Sequence, residues 1–161
     1  MVTEFITDRE VETILNDVIR LFLIPRFDEL GMNATGEWRD NVESRGSSIY
    51  GRDYTVQLVH GRRPNEDQNP NAIRKWAYGM AKFNPEFMAW LSARGLEQYG
   101  IQIAYKIGEQ GTQYYRDGGT KLLEVLNEPE TINYIAEQAG SIISDNMVKD
   151  INKQLLKFTT I

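Results

Sequence analysis

Helical periodicity dominates the chain and starts close to the N-terminus. Val11, Ile14, Leu15, Val18 and Phe22, with Leu21 beside them, recur at the three-and-four spacing of an amphipathic helix. Thr7 precedes the run and Glu10 follows three positions later, a capping box in which each side chain accepts from the other residue's backbone N–H. Pro25 bends or interrupts the pattern, and a further turn through Phe27 and Leu30 ends at Gly31. One long or kinked amphipathic helix over residues 8–30 is the prediction. From Gly31 to Asp40 the chain is a polar turn region. Residues 40–51 lose the helical period around Gly46, and two short strands turning at Arg45 and Gly46 are expected there. Asp53 is then placed to cap a short helix through Tyr54, Val56, Leu58 and Val59, closed by Gly61.

Residues 61–71 hold two prolines and three asparagines and form the clearest loop. Asn69 or Asn71 starts a helix containing Ile73, Trp76, Ala77 and Met80. Asn84 and Pro85 start another, because proline suits the first helical position. Its apolar residues Phe87, Met88, Trp90 and Leu91 spread widely around the axis, and Gly95 ends it. A third helix covers Ile101 to about Glu109, with Ile103, Ala104 and Ile107 on one face. Thr120 to Leu126 reads equally as a strand or a helix start. Pro129 opens a C-terminal helix through Ile132, Ile135, Ala139, Ile142 and Ile143, and an amphipathic stretch continues to Leu156.

This is an α+β reading: an amphipathic N-terminal helix, a small antiparallel sheet with several helices packed on it, and a C-terminal helix. The 161 residues suffice for a single domain with a core of its own, and no repeat or long linker divides them. The helices at about 8–30 and about 129–156 are the elements able to reach neighbouring subunits.

Composition mostly narrows the chemistry. The absence of cysteine removes disulfides, thiolate metal sites and cysteine nucleophiles. A single histidine, His60, removes His-rich metal clusters and, with no nucleophile elbow, any recognisable Ser/His/Asp set. His60 near Asp53, Glu66 or Asp67 is read as a helix C-terminal residue rather than an acid–base or metal cluster. No secretory signal or membrane span is expected, since the early apolar run Leu21–Ile24 stops at Pro25. The net charge of −5 is opposite to that of a general nucleic-acid binder, although an acidic channel can pass DNA without holding it.

Two segments stand out. Arg62 and Arg63, with Arg74 and Lys75 beside Trp76, concentrate positive charge on an acidic chain. They are either a contact for phosphate or an acidic protein, with Trp76 as anchor, or a solvated loop beside a core indole. The second segment, Lys106–Gly119, is rich in glycine and carries Tyr114 and Tyr115. Gly118, Gly119, Thr120 and Lys121 are in the wrong order for a phosphate-binding loop, so the glycines are expected to end a helix and make tight turns. The tyrosines are divided between interface and core.

Read with Gly61–Asn65 and the helix Ala72–Trp76, the Lys106–Gly119 stretch resembles a layout of motifs in neck, head–tail connector and tail-completion proteins of tailed bacteriophages. The likeness runs over roughly residues 40–130. Tyr54–Gly61 looks like the helix leading to that family's glycine-ended turn, and Ile103–Thr112 like a helix closing at Glu109–Thr112. Leu122–Leu126 looks like the segment returning to the sheet. The Gly61–Asn65 loop with Pro70–Trp76 looks like a form common among phages and prophages of Bacteroidetes-type hosts. The resemblance implies a non-enzymatic virion protein, made in the bacterial cytoplasm and placed at the head–tail junction. It implies a homo-oligomeric ring that meets portal or adaptor proteins on one side and tail-tube or tail-terminator proteins on the other. Such a ring encloses DNA without needing to bind it, and needs no cofactor, metal or membrane. The interface residues expected are Arg62, Arg63, Arg74, Lys75, Trp76, Tyr114 and Tyr115. The alternative is a DNA-binding accessory protein using the Arg62–Lys75 segment.

Overall fold

The computed structural model describes residues 5–32 and 35–158. They form two compact units, each drawn from separated segments of chain. Among the described residues, the first takes the segment ending at Arg26, the segment Val42–Tyr50 and the segment starting at Leu123; the second takes those of Phe27–Asn41 and Gly51–Leu122. The architecture is mostly helical, with one two-stranded antiparallel ribbon among the described residues.

In the first unit, α1 (Asp8–Val18) begins at the capping box. Thr7 Oγ1 accepts from the Glu10 amide at 3.3 Å, and the Glu10 carboxylate accepts from the Thr7 amide at 2.8 Å. A single π turn, Ile19–Leu23, separates α1 from α2 (Ile24–Glu29). Pro25 explains the widened turn, because it offers no N–H to the preceding carbonyls. Ile14, Val18, Ile19 and Leu23 are buried along this path.

Strands β1 (Glu43–Arg45) and β2 (Ser48–Tyr50) pair with Ser44 opposite Ile49. The ribbon lies on α1 rather than carrying several helices. Polar contacts hold it there. The buried Ser44 hydroxyl donates to the Glu12 carbonyl at 2.9 Å, and Glu12 Oε2 accepts from the Gly46 amide at 3.2 Å.

Leu122–Asn127, open between strand and helix on sequence grounds, is a 3₁₀ turn. Thr131, fully buried, donates its hydroxyl to the Val125 carbonyl at 2.7 Å and fastens that turn to the next helix. This helix, the 30-residue Pro129–Phe158, is α9 in chain order. It docks on α1 through Tyr134, which donates to Asp17 at 3.1 Å and sets its ring 5.5 Å from Phe22. Asn146 adds a bond to the Phe5 carbonyl at 3.0 Å and one to Glu10 at 3.4 Å.

The second unit contains α3 (Glu37–Asn41), α4 (Thr55–His60), α5 (Pro70–Phe83), α6 (Pro85–Ala93), α7 (Gly100–Gln110) and α8 (Gln113–Arg116). Asn69 and Asn84 cap α5 and α6, with proline following each. Asp53 does not cap α4; the cap position falls to Tyr54, which makes no side-chain cap bond. Buried Trp38 stacks on Phe27 at 4.7 Å and donates its indole N–H to Thr55 at 2.9 Å.

Helices α5 and α7 form the central pair. Ile73, Ala77 and Ala104 are buried on this pair, and so is Gly108 near the end of α7. A Cβ at Gly108 would stand 3.0 Å from both Ile73 and the Trp76 ring, so glycine sets how closely the two helices approach. No described helix is long and apolar enough to cross a membrane.

The cap of α1 carries a pH dependence. The Thr7 amide, followed by the Thr7 hydroxyl, holds the Glu10 carboxyl below its usual range. A depressed carboxylate adds stability above its unfolded pKa, and that stability is lost as pH falls through the folded value. Glu10→Gln should therefore lower the melting temperature at neutral pH and narrow the gap to wild type in acid. Thermal melts of both proteins at the two pH values check this; a constant offset would contradict it.

Candidate binding groove

Two loops from opposite ends of the second unit are joined by backbone bonds. The Thr112 amide donates to the Arg62 carbonyl at 2.8 Å, and the Arg62 amide donates to Thr112 Oγ1 at 2.9 Å. The Asn65 amide donates to the Gly108 carbonyl at 2.8 Å. Further along, the Thr120 amide donates to the Val59 carbonyl at 2.8 Å. The glycines make this closeness possible. Gly61 has φ +73°, and an added Cβ would run into the Tyr115 amide nitrogen. Gly111 has φ +76°, and its added Cβ would stand 2.8 Å from the Arg62 carbonyl oxygen.

This double loop fixes where Arg62 goes. Its guanidinium lies over the Trp76 ring, 4.2 Å from the centroid, a cation–π contact. It donates to Asn65 Oδ1 at 2.8 Å and, more weakly, to the Arg63 carbonyl at 3.3 Å. All these acceptors are neutral. Burial pulls the Arg62 pKa below its usual value, since leaving water disfavours the charged form. A second pair of the same kind sits at the end of α6, where Arg94, the residue after the helix, covers Trp90 at 5.3 Å.

Both pairs face one cavity of about 630 Å³, walled by α5, α6, α7 and the Gly111–Arg116 turn. Lys106 and Arg116 complete its set of cations, and no carboxylate lines it. Arg116 donates to the Gln110 and Gln113 side chains, again neutral partners. A second cavity, of about 570 Å³, shares Arg62, Phe87 and Trp90 with the first and extends towards Trp38 and Tyr54. Burial, reinforced by the Glu37 carboxylate, raises the Tyr54 pKa.

The sequence-predicted interface residues are only partly brought together. Arg62, Trp76 and Tyr114 line the groove. Arg63 and Tyr115 lie on its neighbouring surface with Arg62 and Trp76, and Arg63 pairs with Glu66 at 3.8 Å. Lys75 lines a different recess, beside Phe83, and Arg74 lines none of these surfaces. Trp76 is both things the sequence allowed: half-buried against Gly108 on α7 and the base on which Arg62 rests. His60 is exposed at the end of α4, and among the described residues no three histidine or acidic side chains gather as metal ligands.

Sequence reasoning missed Arg94, Lys106, Arg116 and Trp90. One signal was present, the i, i+4 spacing of Trp90 and Arg94 at the end of α6. The broad spread of apolar residues on that helix was another, since such a helix has a second apolar side to line something.

No family model matches the chain, and neither a curated protein nor a solved structure matches it.

The glycine at the crossing of the two loops is the sharpest test of this geometry. Gly61→Ala should cost about 3 kcal/mol, from the positive φ and the collision with backbone that cannot move aside. Chemical denaturation measures it, and a loss near that of an ordinary surface substitution would contradict the described crossing.

Proposed function

We propose that this chain is a structural virion protein of the phage neck, a ring-forming head–tail connector or tail-completion subunit. The observation that carries the reading is the distal part of α9. Met147, Val148 and Ile151 are all exposed there, with fractional exposures from 43% to 56%. A helix of 30 residues spans about 45 Å, and the part that docks on α1 runs from Tyr134 to Asn146. An apolar stripe at the far end suits an element that finishes its packing on another subunit. The order of motifs over residues 40–130 supports the same reading.

Charge is divided in a way that fits head-to-tail contacts. The first unit holds seven lysines and arginines against twelve carboxylates, and the second holds eleven of each, so the net −5 belongs to the first. The second presents its carboxylate-free cationic groove. A chain whose net charge belongs to one unit, beside a balanced second unit, suits the heterologous interface of a closed ring. The partners are then further copies of this chain, a portal or adaptor protein on one side, and a tail-tube or tail-terminator protein on the other.

The second reading is a DNA-binding accessory protein. The Arg62–Trp76 pair favours it, whereas Lys75 and Arg74 lie off the groove and so do not extend one continuous basic track.

Gradient-purified particles, analysed by mass spectrometry with immunogold labelling, test the neck role. Stoichiometric protein concentrated at the head–tail junction is expected, and absence from particles would remove the reading. Replacing Val148 and Ile151 together by Asp should leave a folded helical chain, since both side chains are exposed, while sharply reducing incorporation. Undiminished incorporation would exclude α9 as the assembling element.

A further inference from the structure

We propose that the groove between α5, α6 and α7 binds a nucleoside phosphate, either free or as one unit of a single-stranded nucleic acid. The volume of about 630 Å³ is in the range of small-molecule sites. What singles the groove out is uncompensated charge. The chain has more carboxylates than cations, and Arg20, Arg39, Arg45, Arg52 and Arg63 each reach one. Around the groove, Arg62, Arg94, Lys106 and Arg116 converge with no carboxylate among the lining residues.

Two of these cations are held in place rather than waving in water. Arg62 and Arg94 each lie over an indole, and each also donates to a neutral oxygen, Asn65 Oδ1 and the Gly31 carbonyl respectively. A guanidinium carries five N–H donors, so donors remain on both for an anion. Preorganised donors of this kind recognise phosphate oxygens well. Burial of the Arg62 charge points the same way, since it is unfavourable until a counter-charge arrives.

The rest of the lining asks for a planar ring. Phe87 and Trp90 are nearly parallel, with 12° between their planes, and with Tyr114 they supply flat apolar wall beside the Arg62–Trp76 pair. A base stacks on such rings whatever its identity, and its phosphate then falls among the cations. A base inside a duplex is already stacked and paired and cannot reach them, so the site is for a free nucleotide or a single strand. An acidic protein segment would satisfy the cations but would leave the rings without a stacking partner.

Trp76 and Trp90 are two of the three tryptophans, so ligand stacking is directly visible as quenching of intrinsic fluorescence. The full chain is titrated with adenosine 5′-monophosphate, a short single-stranded oligodeoxynucleotide and an oligoglutamate peptide, with inorganic phosphate as competitor. Saturable quenching by the nucleotide is expected, displaced by phosphate and weakened by salt. Arg94→Gln and Lys106→Gln, both at exposed positions, should each weaken it by at least about tenfold while circular dichroism stays that of the wild type. Arg20→Gln, in the other unit, should leave it unchanged.

Tighter binding of the oligonucleotide than of the nucleotide would assign the site to a strand; the reverse order would assign it to free nucleotide. Either supports the proposal. It is overturned if neither quenches at low salt, if Arg94→Gln and Lys106→Gln bind like wild type, or if only oligoglutamate binds. Because the titration uses the free chain, its failure leaves the assembly role of α9 untouched.

Discussion

The backbone bonds between the Gly61–Asn65 loop and the Gly108–Thr112 end of α7 are the constraint on which the functional surface depends. Side-chain packing alone would allow Arg62 many rotamers in water. Anchoring its own amide and carbonyl to Thr112 removes that freedom at the backbone, and the guanidinium then settles on Trp76. Trp76 is itself fixed from behind by Gly108 on the neighbouring helix. Glycine at 61, 108 and 111 thus acts through what it lacks: a Cβ at any of them would push apart parts that must meet.

Much of the local structure is legible along the chain because local rules decide it. The Thr7–Glu10 box, the asparagine–proline starts at Asn69 and Asn84 and the helix-ending glycine at Gly111 each follow from a few adjacent residues. Features set by distant partners are less legible. The 3₁₀ turn at Leu122–Asn127 is tied to the buried Thr131 hydroxyl, and no periodicity in six residues encodes that. The π turn is a compromise between the helical pattern and Pro25. The division into two units is concealed because each is assembled from segments far apart in sequence, with no linker between them.

The candidate groove was half legible for the same reason. Arg62, Arg63 and Trp76 drew notice as a cluster in sequence, and Tyr114 through its glycine-rich setting. Arg94, Lys106 and Arg116 join them only through the fold, from three different elements. Arg74 and Lys75, neighbours of Trp76 in sequence, sit at other angles on α5 and leave the groove. Proximity along a helix places side chains on different faces, so a run of basic residues overstates the patch. The acidic first unit, the cationic groove of the second and the apolar end of α9 nevertheless give one chain several distinct contact chemistries.

The most direct measurement is the NMR spectrum of the Arg62 side chain, assigned by comparison with Arg62→Lys and repeated in Thr112→Val. A guanidinium held over an indole shows its Hδ and Hε protons shifted upfield by the ring current. Such shifts in the wild type, relaxing towards ordinary arginine values when Thr112 loses its hydroxyl, are the expected result. Unshifted Arg62 protons in the wild type would contradict a groove built around a fixed cation.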